Sequence, residues 1–161
     1  RFSSKFYLNL TKTYNEKLNN KSDLPKIVDL STKKVYVEKY NAKTMLVAEP
    51  LAYNNLIKRL PDKKVITSDR IREYLAKEVG ADTTCQLTAG IFINICAHAA
   101  VERKDNIFPW WRVLKKDGEL NEKFPGGIEN QKKILEKEKF VVIKKGKKYF
   151  VQNFEENIWN I

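Results

Sequence analysis

Apolar residues recur at helical spacing through much of the chain and alternate or cluster only in short runs. The spacing of Phe6, Leu10, Tyr14 and Leu18 predicts an amphipathic helix over residues 2–18. A polar loop follows, over residues 19–22. Val35-Tyr36-Val37 and the run from Thr44 to Ala48 read as short strands. Pro50 suits the first position of a helix, and Tyr53, Leu56, Ile57 and Leu60 give that helix a core-facing stripe. Residues 64–67 read as a short extended entry to a second helix. Ser68 is its expected N-cap, Ile71, Tyr74, Leu75 and Val79 its expected buried face, and Gly80 its stop. Asp82 or Thr83 is the expected cap of a third helix over residues 85–101, with Ile91, Ile95 and His98 along one side.

Helix, short turn, helix is the helix-turn-helix pattern, whose second helix meets nucleic acid with its N-terminal residues. Here those residues are Thr83, Thr84, Cys85, Gln86, Leu87 and Thr88. An ordinary pair of packed helices has the same pattern. Arg112-Val113-Leu114 runs into Lys115-Lys116-Asp117-Gly118, where Asp-Gly signals a hairpin and so a wing. Gly126-Gly127 precedes a helix over residues 128–139, with Ile134 and Leu135 inward. Residues 141–143 and 149–151 flank Lys144-Lys145-Gly146-Lys147-Lys148 as a second hairpin, and Asn153 caps a last short helix ending near Trp159. The expected fold class is α+β, mainly helical: a winged-helix-like domain with a helix-turn-helix and short β-hairpins. Residues 1–48 read as an N-terminal extension, 49–140 as the winged-helix domain, and 141–161 as a basic hairpin and short helix packed on it.

Charge sharpens the picture. Lys and Arg outnumber Asp and Glu by 31 to 20, a formal net charge of +11. Such an excess points to a polyanionic partner or an acidic surface, against the plainer reading of a lysine-rich solvated exterior. No run approaches the ~20 apolar residues of a membrane helix, and residues 1–10 lack the apolar core of a signal peptide, so no membrane partner and a cytoplasmic, DNA-associated location are expected. The two cysteines, Cys85 and Cys96, are too few for a disulfide framework, and the single histidine, His98, offers no metal constellation. No metal and no cofactor are expected.

The run Pro109-Trp110-Trp111-Arg112-Val113-Leu114, then Asp117-Gly118, Gly126-Gly127 and Leu135-Glu136-Lys137-Glu138, resembles the DNA-binding and active-site domain of alkylguanine-DNA alkyltransferases. It is closest to their non-catalytic relatives, the alkyltransferase-like proteins. The resemblance covers residues 49–140. It implies a non-enzymatic protein, because Trp110 stands where the nucleophilic cysteine would be and Trp111 where its activating histidine would be; an indole offers no thiolate. Glu138 matches the glutamate that would orient that histidine. The resemblance further implies double-stranded DNA as partner, bound from the minor-groove side, alkylated guanine as the recognised base, and a repair protein downstream. The implied base pocket comprises Trp110, Trp111, Phe124, Pro125, Gly126, Gly127 and Glu138, with Pro125 in place of a family serine. The implied DNA contacts are Ser68, Thr83, Thr84, Cys85, Gln86, Leu87, Thr88, Arg112, Lys115 and Lys116. Ser68 stands at the position of a family tyrosine. Gln86 or Leu87 stands where the family has an arginine that fills the gap left by the flipped base. Two other readings stay open: a general winged-helix module binding DNA or protein without regard to damage, and an alkyltransferase with Cys85 as a relocated nucleophile.

Overall fold

The computed structural model describes residues 12–161, so the greater part of the expected first helix lies outside the described residues. What is described of it is α1 (Tyr14–Leu18), opened by a capping box in which Thr13 and Glu16 satisfy each other's backbone N–H groups. The chain continues through β1 (Lys26–Asp29), α2 (Lys34–Tyr40), β2 (Thr44–Val47), α3 (Pro50–Lys58), β3 (Ile66–Thr67), α4 (Ser68–Glu78), β4 (Thr83–Thr84) and α5 (Gln86–Glu102). A 3₁₀ turn (Trp110–Arg112), β5 (Val113–Leu114), a second 3₁₀ turn (Lys116–Gly118), α6 (Gly127–Lys137), the β6 (Val142–Lys145) and β7 (Lys148–Val151) hairpin and a last 3₁₀ turn (Phe154–Asn157) complete it. The fold is α+β and mainly helical.

Helix α5 is the axis. It is apolar on nearly every side, the mark of a helix buried among neighbours. Ala89, Ile93, Cys96, Ala97, Ala99 and Ala100 are all buried, and the small side chains let α1, α3 and α4 approach closely. Tyr53, Leu56 and Ile57 of α3 and Ile71 of α4 fill the space beside it. A smaller core of Val65, Leu114, Leu120, Leu135, Phe140 and Val151 seats α6 and the hairpin against β3 and β5. The C-terminal tail returns to β3, with Trp159 N–H donating to Val65 O at 2.8 Å and Val65 N–H donating to Asn157 O at 2.9 Å.

The segment before residue 49 is joined to the helix-turn-helix by hydrogen bonds. Strand β2 pairs antiparallel with β1 and parallel with β4, the strand between α4 and α5. Residues 35–37, expected as a strand, lie instead in the exposed helix α2, which connects β1 to β2 outside the three-stranded sheet β1-β2-β4. The strand that does pair, Lys-Ile-Val-Asp of β1, is exposed throughout and carries no alternation to betray it.

Capping also departs from expectation. Thr67, the last residue of β3, is the N-cap of α4 and Ser68 is its first helical residue; neither caps with its side chain. Asp82 caps nothing: its carboxylate accepts from Lys43 N–H at 2.9 Å and Thr44 N–H at 3.1 Å, fastening β2, while Cys85 takes the N-cap position of α5. Val79 ends α4 as its C-cap and is exposed, and Ile91 is half exposed on the outer face of α5. Asn153 sits at the N-cap of the last turn in a left-handed conformation, without a side-chain cap bond. Asp117-Gly118 turns the chain but is not flanked by a paired hairpin, since β5 pairs with β3 and Glu119 bridges Phe150 of β7.

Glu102 at the end of α5 holds α1 by accepting from Tyr14 N–H and Asn15 N–H, each at 3.0 Å, and from the Asn15 side chain at 2.7 Å. These bonds, led by the Asn15 side chain, lower its pKa below the ordinary 4.5. A carboxylate with a depressed folded-state pKa stabilises fully above its unfolded value and loses that contribution as pH falls through the folded one. Thermal unfolding of the native protein and Glu102→Gln should therefore differ at pH 7, and the difference should shrink steadily below about pH 4.5. A difference independent of pH would show that the carboxylate does not hold α1 through its charge.

Candidate nucleic-acid interface

The tandem tryptophans divide their roles. After Pro109 the chain makes one 3₁₀ turn before entering β5, which throws Trp110 inward and Trp111 toward α6. Trp110 is 3% exposed and meets Phe124 edge-on at 5.6 Å and Trp111 at 5.8 Å. Trp111 is half-buried and donates its indole N–H to Glu138 Oε1. So Glu138, left without a histidine to orient, orients an indole.

Arg112 is a buried clamp. Its guanidinium donates to Pro61 O and, at 3.2 Å, to Lys64 O. Its Nε lies 3.3 Å from Glu138 Oε2, an ionic contact too misaligned to count as a hydrogen bond, so Nε is left without one. Burial pulls the Arg112 pKa down while Glu138 and Asp62 pull it up. Gln131, fully buried on α6, donates to Trp111 O at 3.0 Å and Val113 O at 3.3 Å and accepts from Asn121 N–H at 2.8 Å. These bonds fix the tryptophan turn to the loop that follows it. Gly126 (φ 76) is the left-handed N-cap of α6; a Cβ there would come within 2.5 Å of Asn130 Cβ.

A cleft of about 400 Å³ opens beside this scaffold, within the range of small-ligand sites. One wall is helical: Ser68 and Arg72 of α4, with Gln86, Ala89, Gly90 and Ile93 of α5. The opposite wall is the strand and turn from Val113 to Asp117, with Glu119 and Asn121, and Phe124 and Lys148 complete the lining. The apolar interior (Ile93, Val113, Leu114, Phe124) suits a flat ring, and Ser68, Gln86 and Asn121 supply polar atoms. Arg72, Lys115, Lys116 and Lys148 bring positive charge, partly offset by Asp117 and Glu119.

Of the expected pocket residues, only Phe124 lines this cleft. Trp110, expected in the base pocket, is instead buried behind the cleft against Phe124. Trp111, Glu138, Pro125, Gly126 and Gly127 do not line the cleft; Pro125 O accepts from the Asn130 side chain at 2.9 Å. Of the expected DNA contacts, Ser68, Gln86, Lys115 and Lys116 line the cleft, and Leu87 projects from the start of α5 with 74% exposure. Two are corrected. Arg112 is 4% exposed and spent on backbone carbonyls; Thr84 is 2% exposed and donates its hydroxyl to Arg72 O at 2.7 Å. Thr83 lies in β4, facing a separate groove below α4, and Thr88 is half-buried. Arg72, Gly90 and Asn121 were not anticipated. Arg72 stands four residues after Ser68, so helical spacing places both on one face of α4. Lys148, in the lysine-rich tip of the second hairpin, reaches the cleft through tertiary packing of that hairpin.

Cys85 packs against Leu30, Ala42 and Met45, away from the cleft, and its N–H donates to Leu46 O at 2.8 Å. Cys96 is buried in the core, where desolvation pushes its thiol up to about 12. His98 stacks on Tyr14 at 4.6 Å, with Nε2 2.8 Å from Lys123 O. Among the described residues no group of three or more His, Cys, Asp or Glu is placed to hold a metal ion, and no helix is long and apolar enough to cross a membrane.

No protein-family model matches the chain, and no curated protein matches it. Among solved structures it is similar to S. pombe ATL in complex with DNA, at 19% identity and a TM-score of 0.49, covering 70% of this chain and 94% of that one. It is also similar to S. pombe Atl1 in complex with damaged DNA containing O6-carboxymethylguanine, at 21% identity, a TM-score of 0.49 and the same coverage.

Proposed function

We propose that this is a non-catalytic DNA-binding protein that grips a duplex with α4 and α5, admits an extruded base, alkylated guanine above all, to the cleft beside Phe124, and marks it for a repair protein. The observation that carries this reading is the cleft itself. Both helices of the helix-turn-helix and the Lys115-Lys116 turn converge on one apolar slot with basic residues around it. Extruding a base costs a few kcal/mol, least when the base is damaged or mispaired. Phe124, 3% exposed like Trp110, adds to the apolar lining of the slot and offers no open stacking face, so the slot favours bases that leave the stack cheaply and bury apolar area in it. The buried Trp110 and Gln131 hold that wall in place beforehand, so little ordering is left to be done on binding. Group transfer is left out of the reading because neither cysteine lines the slot, and the position matching the family nucleophile carries an indole.

Binding of a short duplex measured over a salt series tests the reading. Log affinity should fall against log salt with a slope of about −0.9 per phosphate neutralised. The double variant Lys115→Gln, Lys116→Gln should make that slope shallower by about 2. Affinity indifferent to salt would overturn it. Equal affinity for intact and alkylated duplexes would leave a general DNA-binding module.

A further inference from the structure

The β6–β7 hairpin sets Lys144 and Lys145 at the end of one strand and Lys147 and Lys148 at the start of the next, around Gly146 (φ 64). Its register places Lys144 opposite Tyr149 and Lys145 directly opposite Lys148. Like charges facing each other across a strand pair destabilise it, so folding alone does not call for this arrangement. The ammonium groups of Lys144 and Lys145 lie 5.6 Å from the ring centroids of Tyr149 and Phe150, which eases but does not neutralise them. One carboxylate reaches the tip: Glu119, 3.5 Å from Lys148 and 3.9 Å from Lys115. Among the described residues, Lys144, Lys145 and Lys147 have no carboxylate within ion-pair distance.

The tip is also held in register with the cleft. Leu120 N–H donates to Tyr149 O at 2.9 Å, Glu119 bridges Phe150, and Lys148 lines the same slot as Gln86 of α5 and Lys115. We propose that this hairpin is a second phosphate-binding arm, gripping the backbone of the duplex on the side of the slot away from α5. The inference rests on the DNA-binding reading above and extends it to residues outside the helix-turn-helix. Four cations around a tight turn, backed by aromatic rings, match the spaced charges of a nucleic-acid backbone.

The test compares two triple variants of equal charge change on an unmodified duplex over a salt series. One is Lys144→Gln, Lys145→Gln, Lys147→Gln at the tip. The other is Lys133→Gln, Lys137→Gln, Lys139→Gln, on and just after α6. The tip variant should flatten the log–log slope by about 2.7, at about 0.9 for each lost phosphate contact, while its thermal midpoint stays at or above the native one. The α6 variant should keep the native slope. A native slope in the tip variant, or equal flattening in both, overturns the arm while the duplex reading stands. Absence of duplex binding by the native protein overturns that reading first, and the arm with it.

Discussion

Trp110→Ala should lower the free energy of unfolding by about 3–5 kcal/mol, the range for truncating a large aromatic side chain in a packed core. The side chain is 3% exposed and touches both Phe124 and Trp111, so its removal leaves a cavity at the junction of the tryptophan turn and the cleft wall. Neighbouring elements are pinned and cannot collapse into it. Gln131 binds Trp111 O and Val113 O from one side, and Arg112 binds Pro61 O and Lys64 O from the other. Urea unfolding should show a lower midpoint with little change in slope. A loss below about 1 kcal/mol, typical of surface positions, would mean that the indole is free to stack on a base directly.

Arg112→Ala should cost about 3 kcal/mol. The loss comes less from attraction than from what is stranded: Pro61 O and Lys64 O lose their donor, and Glu138 loses its cation. Glu138 keeps 28% of its side chain in solvent, so water recovers part of that loss and holds the figure at the low end for buried ion pairs. Arg112→Lys should rescue only part, because a single ammonium cannot stand both where Nη1 serves Pro61 O and Lys64 O and where Nε faces Glu138. The contrast with a phosphate contact is clean. Such a residue, replaced by alanine, would leave stability near native and make the salt slope of duplex binding shallower by about 1. Urea unfolding and a salt series on one preparation separate the two.

Periodicity located α3, α4, α5 and α6 because each buries an apolar face against the core, and the Gly-centred turns at Gly118, Gly126 and Gly146 follow from positive φ. The misplaced elements share a cause. Val35-Tyr36-Val37 reads as a strand from its residue types, yet the strand that pairs with β2 is β1, whose Lys-Ile-Val-Asp carries no alternation. Asp82 reads as a cap from its neighbours in sequence, yet its partners are 38 and 39 residues away. The site was half legible for the same reason. Motif order identified the segment from Pro109 to Gly127, but not which indole points inward or that Arg112 is buried. Those outcomes turn on one 3₁₀ turn and on Gln131, a residue no motif singled out. Leu87 and Ile91, left exposed on α5, mark the face that packing does not claim.

The central claim is that the cleft between α5 and the turn after β5 receives the base. Gly90 lines it, lies within α5, and has no atom within 4 Å of the place a Cβ would occupy. A side chain at residue 90 therefore starts into open space, and Gly90→Phe sets a ring in the slot; replacing a mid-helix glycine should not weaken the helix. The deciding measurement is the affinity of native protein and Gly90→Phe for one duplex carrying a methylated guanine and for the same duplex without it, at fixed salt. The native protein should prefer the modified duplex, and Gly90→Phe should bind both with the affinity the native protein shows for the unmodified one. A preference that survives the plug, or no preference in the native protein, would contradict the claim.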